Sequence, residues 1–102
     1  MKFRNLELVR QIIKEASGLD ISYAYDDLVF AEHGIFIIQY DYKDENRLYC
    51  YFQKDCTPSY RIDVEEKLQK AAKLRDCKMI MRGNFRICPS EKSEEIQIEF
   101  VA

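Results

Sequence analysis

Apolar residues in the first part of the chain recur at helical spacing and end at a glycine. From Leu6 to Ala16 they fall at three- and four-residue steps, which predicts an amphipathic helix over residues 5–17. Asn5 is a suitable N-cap. Gly18 is a suitable C′ residue, because glycine adopts the left-handed backbone that ends many helices. We expect this stripe to pack on a sheet of the same domain.

Strand-forming residues dominate the stretch that follows. Ile21–Tyr25 and Leu28–Ala31 both have strand character, and the two aspartates between them could form a turn or a bulge. The stretch is therefore one irregular strand or two short ones. After it, His33 and Gly34 predict a tight turn, because glycine supplies the positive φ that such turns need.

The segment Ile35–Phe52 predicts a β-hairpin in which both faces are apolar. Strand-forming runs at 35–42 and 47–52 flank a polar loop at 43–46. An ordinary half-buried hairpin alternates apolar and polar residues, so that one face meets the core and the other meets water. Both faces carry large apolar or aromatic side chains here, so we expect something to cover part of the second face.

The lengths of the two loops determine which side chains share a face. A two-residue loop at 33–34 pairs residue 30 with residue 37, and a loop at 43–46 pairs residue 37 with residue 52. This register predicts a core face of Leu28, Phe30, Ile35, Ile37, Leu48, Cys50 and Phe52. It also predicts a tyrosine face of Val29, Ala31, Phe36, Ile38, Tyr40, Tyr42, Tyr49 and Tyr51. A loop of odd length would exchange the residues of the last strand between the two faces.

A second helix is predicted after the hairpin. The segment 57–59, Thr-Pro-Ser, interrupts the sheet. Asp63 is the expected N-cap, because Glu66 lies three residues later in a capping-box arrangement. A moderate apolar stripe continues from there, and we expect the helix to end near Asp76.

Two strands complete the predicted fold. Residues 79–87 predict one long strand with a bulge at Gly83-Asn84, and a turn between two short strands is the alternative. Pro89–Ser93 is the expected loop, and residues 96–100 alternate apolar with polar as a last strand. The predicted fold is therefore a single α+β domain over residues 1–102, with an antiparallel five-stranded sheet and two helices in the order α-β-β-β-α-β-β.

Composition and charge exclude several classes of protein. The chain has 102 residues, 47% of them hydrophobic and 33% charged, as expected for one globular domain. Its net charge is −2 and its basic residues are spread along the chain, which disfavours nucleic acid. No segment approaches the roughly 20 apolar residues that cross a bilayer, and residues 1–20 show no signal-peptide pattern. We therefore expect a cytoplasmic protein that does not bind membranes.

Residues that carry chemistry are few. The single histidine, His33, falls in the predicted turn, and no serine or cysteine stands at motif spacing from it. The four cysteines, Cys50, Cys56, Cys77 and Cys88, match no C-x-x-C pattern and are expected to be free thiols. Cys56 is the one expected to be most exposed. We therefore predict no catalytic residue, no metal site and no cofactor, and hence a protein that is not an enzyme.

The tyrosines are the remaining functional signal. The chain has seven Tyr and no Trp, and tyrosine suits interfaces because it combines a large apolar ring with a hydroxyl that tolerates water. The predicted partner-binding residues are Ile38, Tyr40, Tyr42, Tyr49 and Tyr51. The expected partner is a second copy of the chain, giving a homodimer, or a segment of another protein.

Two other functions are compatible with the same residues. A small-ligand or enzymatic domain would have a pocket between sheet and helix, lined by Cys56, His33 and tyrosine hydroxyls. Single-stranded nucleic acid could stack its bases on the tyrosines, although Asp41, Asp44 and Glu45 beside them would repel phosphate.

The predicted order of elements resembles the bacterial type III secretion-chaperone-like fold, which also includes a group of sensory transduction regulators. The matching parts would be the helix at 5–17, the strands ending at Phe52, the helix at 63–76 and the last two strands. The resemblance implies a small, acidic, cytosolic and often homodimeric protein that binds an extended segment of a partner. The chain departs from that family by ending at Ala102, where a third helix is usual.

Overall fold

Two helices lie against one face of a six-stranded mixed sheet in the computed structural model, which describes residues 6–25, 27–44, 46–89 and 96–101. The elements, in chain order, are α1 (Leu6–Ser17), β1 (Ile21–Tyr25), β2 (Leu28–Ala31), a 3₁₀ turn (Glu32–Gly34), β3 (Phe36–Tyr40), β4 (Arg47–Gln53), α2 (Pro58–Lys73), β5 (Lys78–Pro89) and β6 (Ile96–Val101). The predicted α+β class with two helices is confirmed within these residues, whereas the predicted five-stranded antiparallel sheet is wrong.

The first helix follows the predicted pattern. α1 buries its apolar stripe, with Val9, Ile12 and Ile13 fully inaccessible to solvent. Gly18 has a φ of +77°, and its backbone N–H donates to the carbonyl of Lys14 at 2.8 Å. Glycine therefore ends the helix in the left-handed conformation that the sequence predicted. The predicted N-cap, Asn5, lies outside the described residues.

The second helix begins earlier than predicted. α2 starts at Pro58 and has Thr57 as its N-cap, so Asp63 lies inside the helix and forms an ion pair with Lys67 at 3.0 Å. Proline is well suited to the first turn, because the backbone N–H that it lacks would have no partner there. The capping-box prediction is wrong for this reason: the prolyl residue that interrupts the sheet also opens the helix.

The stretch 21–31 contains two strands rather than one irregular strand. β1 pairs with β2 as an antiparallel hairpin, with Tyr23 opposite Phe30 and Tyr25 opposite Leu28. The extra strand makes the observed order α-β-β-β-β-α-β-β. The resemblance to the secretion-chaperone-like fold relied on one strand fewer between the helices, and it stays a prediction.

The register of the β2–β3 hairpin is the one that the sequence predicted. Phe30 lies opposite Ile37, and Leu28 lies opposite Gln39. The turn between the strands contains His33 with a φ of 65°. A two-residue reversal at this position therefore accounts for the pairing.

The register of the β3–β4 hairpin differs from the prediction by one residue. Ile37 lies opposite Tyr51 rather than Phe52, and Tyr40 lies opposite Leu48. β3 ends at Tyr40 because the carboxylate of Asp41 organises the loop: it accepts hydrogen bonds from the backbone N–H groups of Lys43 at 2.7 Å and Asp44 at 2.9 Å.

This shift exchanges the faces of β3 relative to β4. Phe36 and Ile38 join Leu48, Cys50 and Phe52 beneath the helices, whereas Ile37 lies on the opposite side with Tyr49 and Tyr51. The predicted core face and the predicted tyrosine face are therefore both wrong as sets, although the core assignment within β4 is right.

The chain passes from β4 through α2 into a parallel strand. Leu48 lies opposite Met79 and Cys50 opposite Met81, whereas Tyr51 lies opposite Gly83. Arg82 is therefore an extra residue in a bulge. The prediction of one long strand is confirmed, whereas the bulge lies at Arg82 rather than at the predicted Gly83-Asn84. Parallel pairing follows from the connection, because a crossover helix returns the chain to the same end of the sheet. The predicted loop at 89–93 lies outside the described residues beyond Pro89.

The core lies between the helices and the sheet. Its largest fully buried side chains on that side include Phe36, Phe52, Ile12, Ile13 and Leu68. Within the described residues, no helix has the length and apolar character required to cross a membrane.

Candidate functional site

The sheet face turned away from the helices, here called the open face, is rich in aromatic side chains. Strand alternation and the observed register place these residues on it: Tyr23, Leu28, Phe30, Ile37, Gln39, Tyr49, Tyr51, Ile80, Arg82, Phe85 and Phe100. Ile37 and Phe85 are fully buried, yet neither belongs to the cluster beneath the helices. No helix of the described chain covers this face.

Two large rings stand out from the open face at opposite edges of the sheet. Tyr23 on β1 is 56% exposed, and Phe100 on β6 is 47% exposed. Each ring also contacts an aromatic neighbour: the centroid of Tyr23 lies 5.7 Å from that of Phe30, and the centroid of Phe100 lies 4.4 Å from that of Tyr51. The aromatic surface therefore extends over nearly the full width of the sheet.

Hydrogen bonds hold the polar groups of Gln39, Tyr49 and Tyr51 on the open face in place. The Tyr51 hydroxyl donates to Gln39 Oε1 at 3.1 Å, and Gln39 Nε2 donates to Asp27 Oδ2 at 2.9 Å. The Tyr49 hydroxyl donates to Asp41 Oδ2 at 2.5 Å. These bonds fix the rotamers of both tyrosines, so that their rings lose little freedom when something packs on them.

Arg82 joins the two tyrosines. Its guanidinium carbon lies 4.0 Å from the centroid of the Tyr49 ring, in the geometry of a cation–π contact. A hydrogen bond with Tyr51 raises the pKa of Arg82 above its ordinary value. Arg82 is the residue that the β5 bulge adds to the strand, and the bulge directs it over the tyrosines.

Asp41 carries a negative charge that the surrounding donors stabilise. The hydrogen bond from Tyr49, followed by the backbone N–H groups of Asp44 and Lys43, lowers the pKa of the Asp41 carboxyl from 3.8 to about 2. The carboxylate is therefore ionised throughout the neutral and mildly acidic range. It links the β3–β4 loop to a tyrosine of the open face.

The acidic and basic residues of the open face lie on different halves of the sheet. Asp27, before β2, and Asp41, after β3, lie on one half of the sheet. Arg47 on β4, together with Lys78 and Arg82 on β5, lies on the other half. Asp27, Asp41, Arg47 and Lys78 lie toward one end of the strands, whereas the row Tyr23, Phe30, Ile37, Tyr51 and Gly83 crosses the sheet beyond them. Arg82 lies next to this row.

The predicted partner-binding residues do not form one surface. Tyr49 and Tyr51 lie half-buried on the open face. Ile38 is fully buried beneath the helices, and Tyr40 packs against the same core. Tyr42 lies in the β3–β4 loop and is 80% exposed. Burying a side chain such as Ile38 stabilises the fold by roughly 1.5–3 kcal/mol, so that residue serves the core and not a partner.

Sequence reasoning missed several residues of the open face. Arg82, Gln39 and Phe85 belong to it, as do the rings of Tyr23 and Phe100. The signal for Arg82 was its place beside Gly83, since a bulge adds one residue and redirects the neighbouring side chain. Tyr23 and Phe100 lie in segments with the two-residue alternation of a strand. Only the order of the strands shows that they share a face with Tyr51.

A shallow cleft of about 340 Å³ brings together His33 and Cys56, the pair named in the ligand-pocket alternative. Gln53, Asp55 and Tyr60 also line it. The Cys56 thiol donates a weak hydrogen bond to the carbonyl of Thr57 at 3.8 Å.

The thiols of the described residues are not activated for nucleophilic attack. Burial raises the pKa of Cys56, of Cys77 and, most strongly, of Cys50. Each therefore stays protonated at neutral pH, whereas a catalytic cysteine needs a depressed pKa. The side chain of Cys88 lies outside the part of the chain that the structure describes. Within that part, no three His, Cys, Asp or Glu side chains group as metal ligands would.

Comparison with protein-family models, with curated protein sequences and with solved structures found no match to this chain.

Proposed function

We propose that this chain is a non-enzymatic protein-interaction domain that self-associates, and that two copies meet through their open faces. The observation that carries the proposal is the one-sided placement of the helices. Both pack on the same side of the sheet, and the other side keeps an aromatic surface with Tyr23 and Phe100 about half exposed. Contiguous apolar patches of this kind mark interaction sites.

The open face spans a large part of the area that a specific contact covers on one partner. Six strands about 4.8 Å apart, with about five residues each at about 3.3 Å per residue, span roughly 25 by 17 Å. Side chains standing on the sheet raise its accessible area above that projection, toward the roughly 800 Å² per partner of standard interfaces. Aromatic residues and arginine, the types enriched at interface centres, occupy the middle of this face.

A second copy fits the open face better than nucleic acid or a lone peptide. The face carries both charge signs, with Asp27 and Asp41 against Arg82, so its own duplicate supplies matching groups. Nucleic acid would meet the carboxylates of Asp27 and Asp41 among the basic residues of this face, and these carboxylates would repel its phosphates. A twisted sheet packs most closely on another sheet of similar twist, as in β-sandwiches.

Sedimentation equilibrium of the wild type and two glutamate variants tests this proposal. The wild type is expected to form dimers at micromolar concentration. Phe100→Glu is expected to raise the dimer dissociation constant at least about tenfold, since it forces an unpaired carboxylate into an apolar contact. Ile62→Glu is the matched control, because Ile62 is 65% exposed on α2 and lies away from the open face.

Circular dichroism of each variant reports whether the fold is kept. A wild type that remains monomeric at several hundred micromolar would overturn the proposal. Equal weakening of the dimer by the Phe100 and Ile62 substitutions would also overturn it, because the contact would then not be specific to the open face.

A further inference from the structure

We infer that the two copies of the proposed dimer are related by a two-fold axis that runs parallel to the strands. β2 of one copy then lies over β5 of the other, and β1 lies over β6. This inference rests on the proposed self-association and adds to it the orientation of the partner and the residue pairs that select it.

Two-fold symmetry leaves two simple ways to stack a sheet face on its own copy. An axis in the interface plane and parallel to the strands exchanges the two edges of the sheet and keeps each strand end over the same strand end. An axis perpendicular to the strands keeps each strand over its own copy and exchanges the strand ends. Because contact in a two-fold dimer is reciprocal, each pair of facing residues occurs twice.

The charges of the open face distinguish the two orientations. With the parallel axis, β3 lies over β4 of the second copy, so Asp41 faces Arg47 across the interface. Asp27 is level with Tyr40 of the neighbouring strand, so it faces the end of β5 that carries Lys78. Acidic and basic halves are therefore opposed. The perpendicular axis instead lays this charged end on the aromatic row of the partner, where desolvated charges would lack counterions.

The aromatic residues favour the same orientation. Tyr23 and Phe100 project at opposite edges of the sheet, and the parallel axis brings each over the other in the second copy. The same axis sets Phe30, on β2, over Gly83, on β5. Gly83 has no side chain, so the β5 strand leaves space for a ring at that point. Aromatic pairs in such contacts contribute more to stability than the burial of their apolar area alone.

The strand directions are compatible with sheet packing. Aligned sheets in β-sandwiches keep their strands within about 30° of each other because both sheets twist in the same sense. A two-fold axis parallel to the strands produces this alignment, and it gives a four-layer dimer with helices outside and the two sheets in contact.

Reciprocal charge reversal tests the orientation directly. Asp27→Lys alone places two lysine–lysine contacts in its homodimer, and Lys78→Glu alone places two carboxylate contacts in its homodimer. Each is expected to weaken self-association at least about tenfold. An equimolar mixture of the two variants restores opposite charges at both contacts. Its affinity, measured by sedimentation equilibrium, is expected to return to within about threefold of the wild type.

The outcomes separate this inference from the proposed function. If the wild type dimerises but the mixture is no tighter than the single variants, the orientation is wrong and the self-association stands. If either single variant dimerises as tightly as the wild type, the orientation is wrong as well. A wild type that stays monomeric would overturn both the orientation and the self-association.

A second measurement does not depend on the charged residues. The photoreactive residue p-benzoylphenylalanine replaces Phe100 in an unlabelled chain, which is mixed with an isotopically labelled wild-type chain. Mass spectrometry after illumination is expected to find cross-links from position 100 to labelled peptides that contain β1, near Tyr23. Cross-links between copies that fall on β6 instead would overturn the parallel axis, because they require each strand to lie over its own copy.

Discussion

Single residues on the open face act through charges and hydrogen bonds that fix larger groups. Asp41 accepts hydrogen bonds from two loop N–H groups and from the Tyr49 hydroxyl, so one carboxylate sets both the end of β3 and the rotamer of a tyrosine. Arg82 performs a similar role on β5, since it stacks on Tyr49 and bonds to Tyr51. The open face therefore has a framework of polar contacts that holds its aromatic rings.

Replacing Tyr49 with phenylalanine is expected to raise the pKa of Asp41 from about 2 toward 3.8, because it removes the largest cause of the depression. A carboxyl whose pKa is lowered by folding stabilises the folded state above its unfolded pKa. That stabilisation is lost as pH falls from about 4 through about 2. In Tyr49→Phe, the loss of stability over this window should be smaller.

Carbon-13 NMR titration of the Asp41 carboxyl and denaturant unfolding between pH 2 and pH 5 measure the two effects. Tyr42→Phe is the matched control, because Tyr42 is 80% exposed in the same loop and its hydroxyl is not among the groups that shift Asp41. An Asp41 pKa that is the same in the wild type and in Tyr49→Phe would contradict the assigned cause.

Elements are positioned by a few backbone features that break regular pairing. The bulge in β5 adds Arg82 and leaves Gly83 opposite Tyr51 with a φ of +152°. A Cβ added at Gly83 would lie 3.3 Å from the carbonyl oxygen of Val101 on β6. The bulge therefore requires glycine for two reasons, its backbone conformation and the close approach of the edge strand.

Replacing Gly83 with alanine is expected to lower the free energy of unfolding by about 1–3 kcal/mol. This is the usual cost of holding a residue other than glycine in a rarely populated backbone conformation. Denaturant titration measures the change. Gly18→Asn is the control, because Gly18 has a φ of +77° with nothing within 4 Å of an added Cβ, and asparagine tolerates that conformation. A Gly83→Ala protein as stable as the Gly18→Asn protein would contradict this account of the bulge.

At the scale of the molecule, the described residues form a two-layer domain in which the helices cover one face of the sheet and leave the other partly exposed. Its thinnest dimension is 24 Å, as expected for one sheet with one layer of helices. Everything that packs beneath α1 and α2 forms a closed core, whereas the other side of the sheet keeps partly exposed rings. Domains of this size bury a limited share of their surface, so covering the open face would add to their stability.

Thermal unfolding is therefore expected to depend on protein concentration. A dimer that unfolds to monomers has a Tm that rises with concentration, because mass action favours the associated state. Differential scanning calorimetry across a hundredfold range of concentration should show this rise for the wild type and for Ile62→Glu. Phe100→Glu should show little of it. A wild-type Tm that does not change across the range would contradict self-association through any surface.

The sequence by itself determined the features that depend on neighbouring residues. The helical period up to Gly18, the turn at His33 and the alternation of Leu48, Cys50 and Phe52 are all local patterns, and the structure contains each of them. The single long β5 strand belongs to the same class, although its bulge lies at Arg82 rather than at the predicted Gly83-Asn84. Local propensity and side-chain period specify these elements because no distant contact is needed to define them.

Only the tertiary structure decided which residues share the open face. The hydrogen bonds of Asp41 shifted β4 by one residue relative to β3, and a shift of one residue moves every side chain of a strand to the other side. The parallel pairing of β4 with β5 then placed Arg82 over Tyr49, and the strand order placed Tyr23 and Phe100 at opposite edges. Pairing between distant strands is set by loop geometry and by packing on the helices, and neither leaves a period in the sequence.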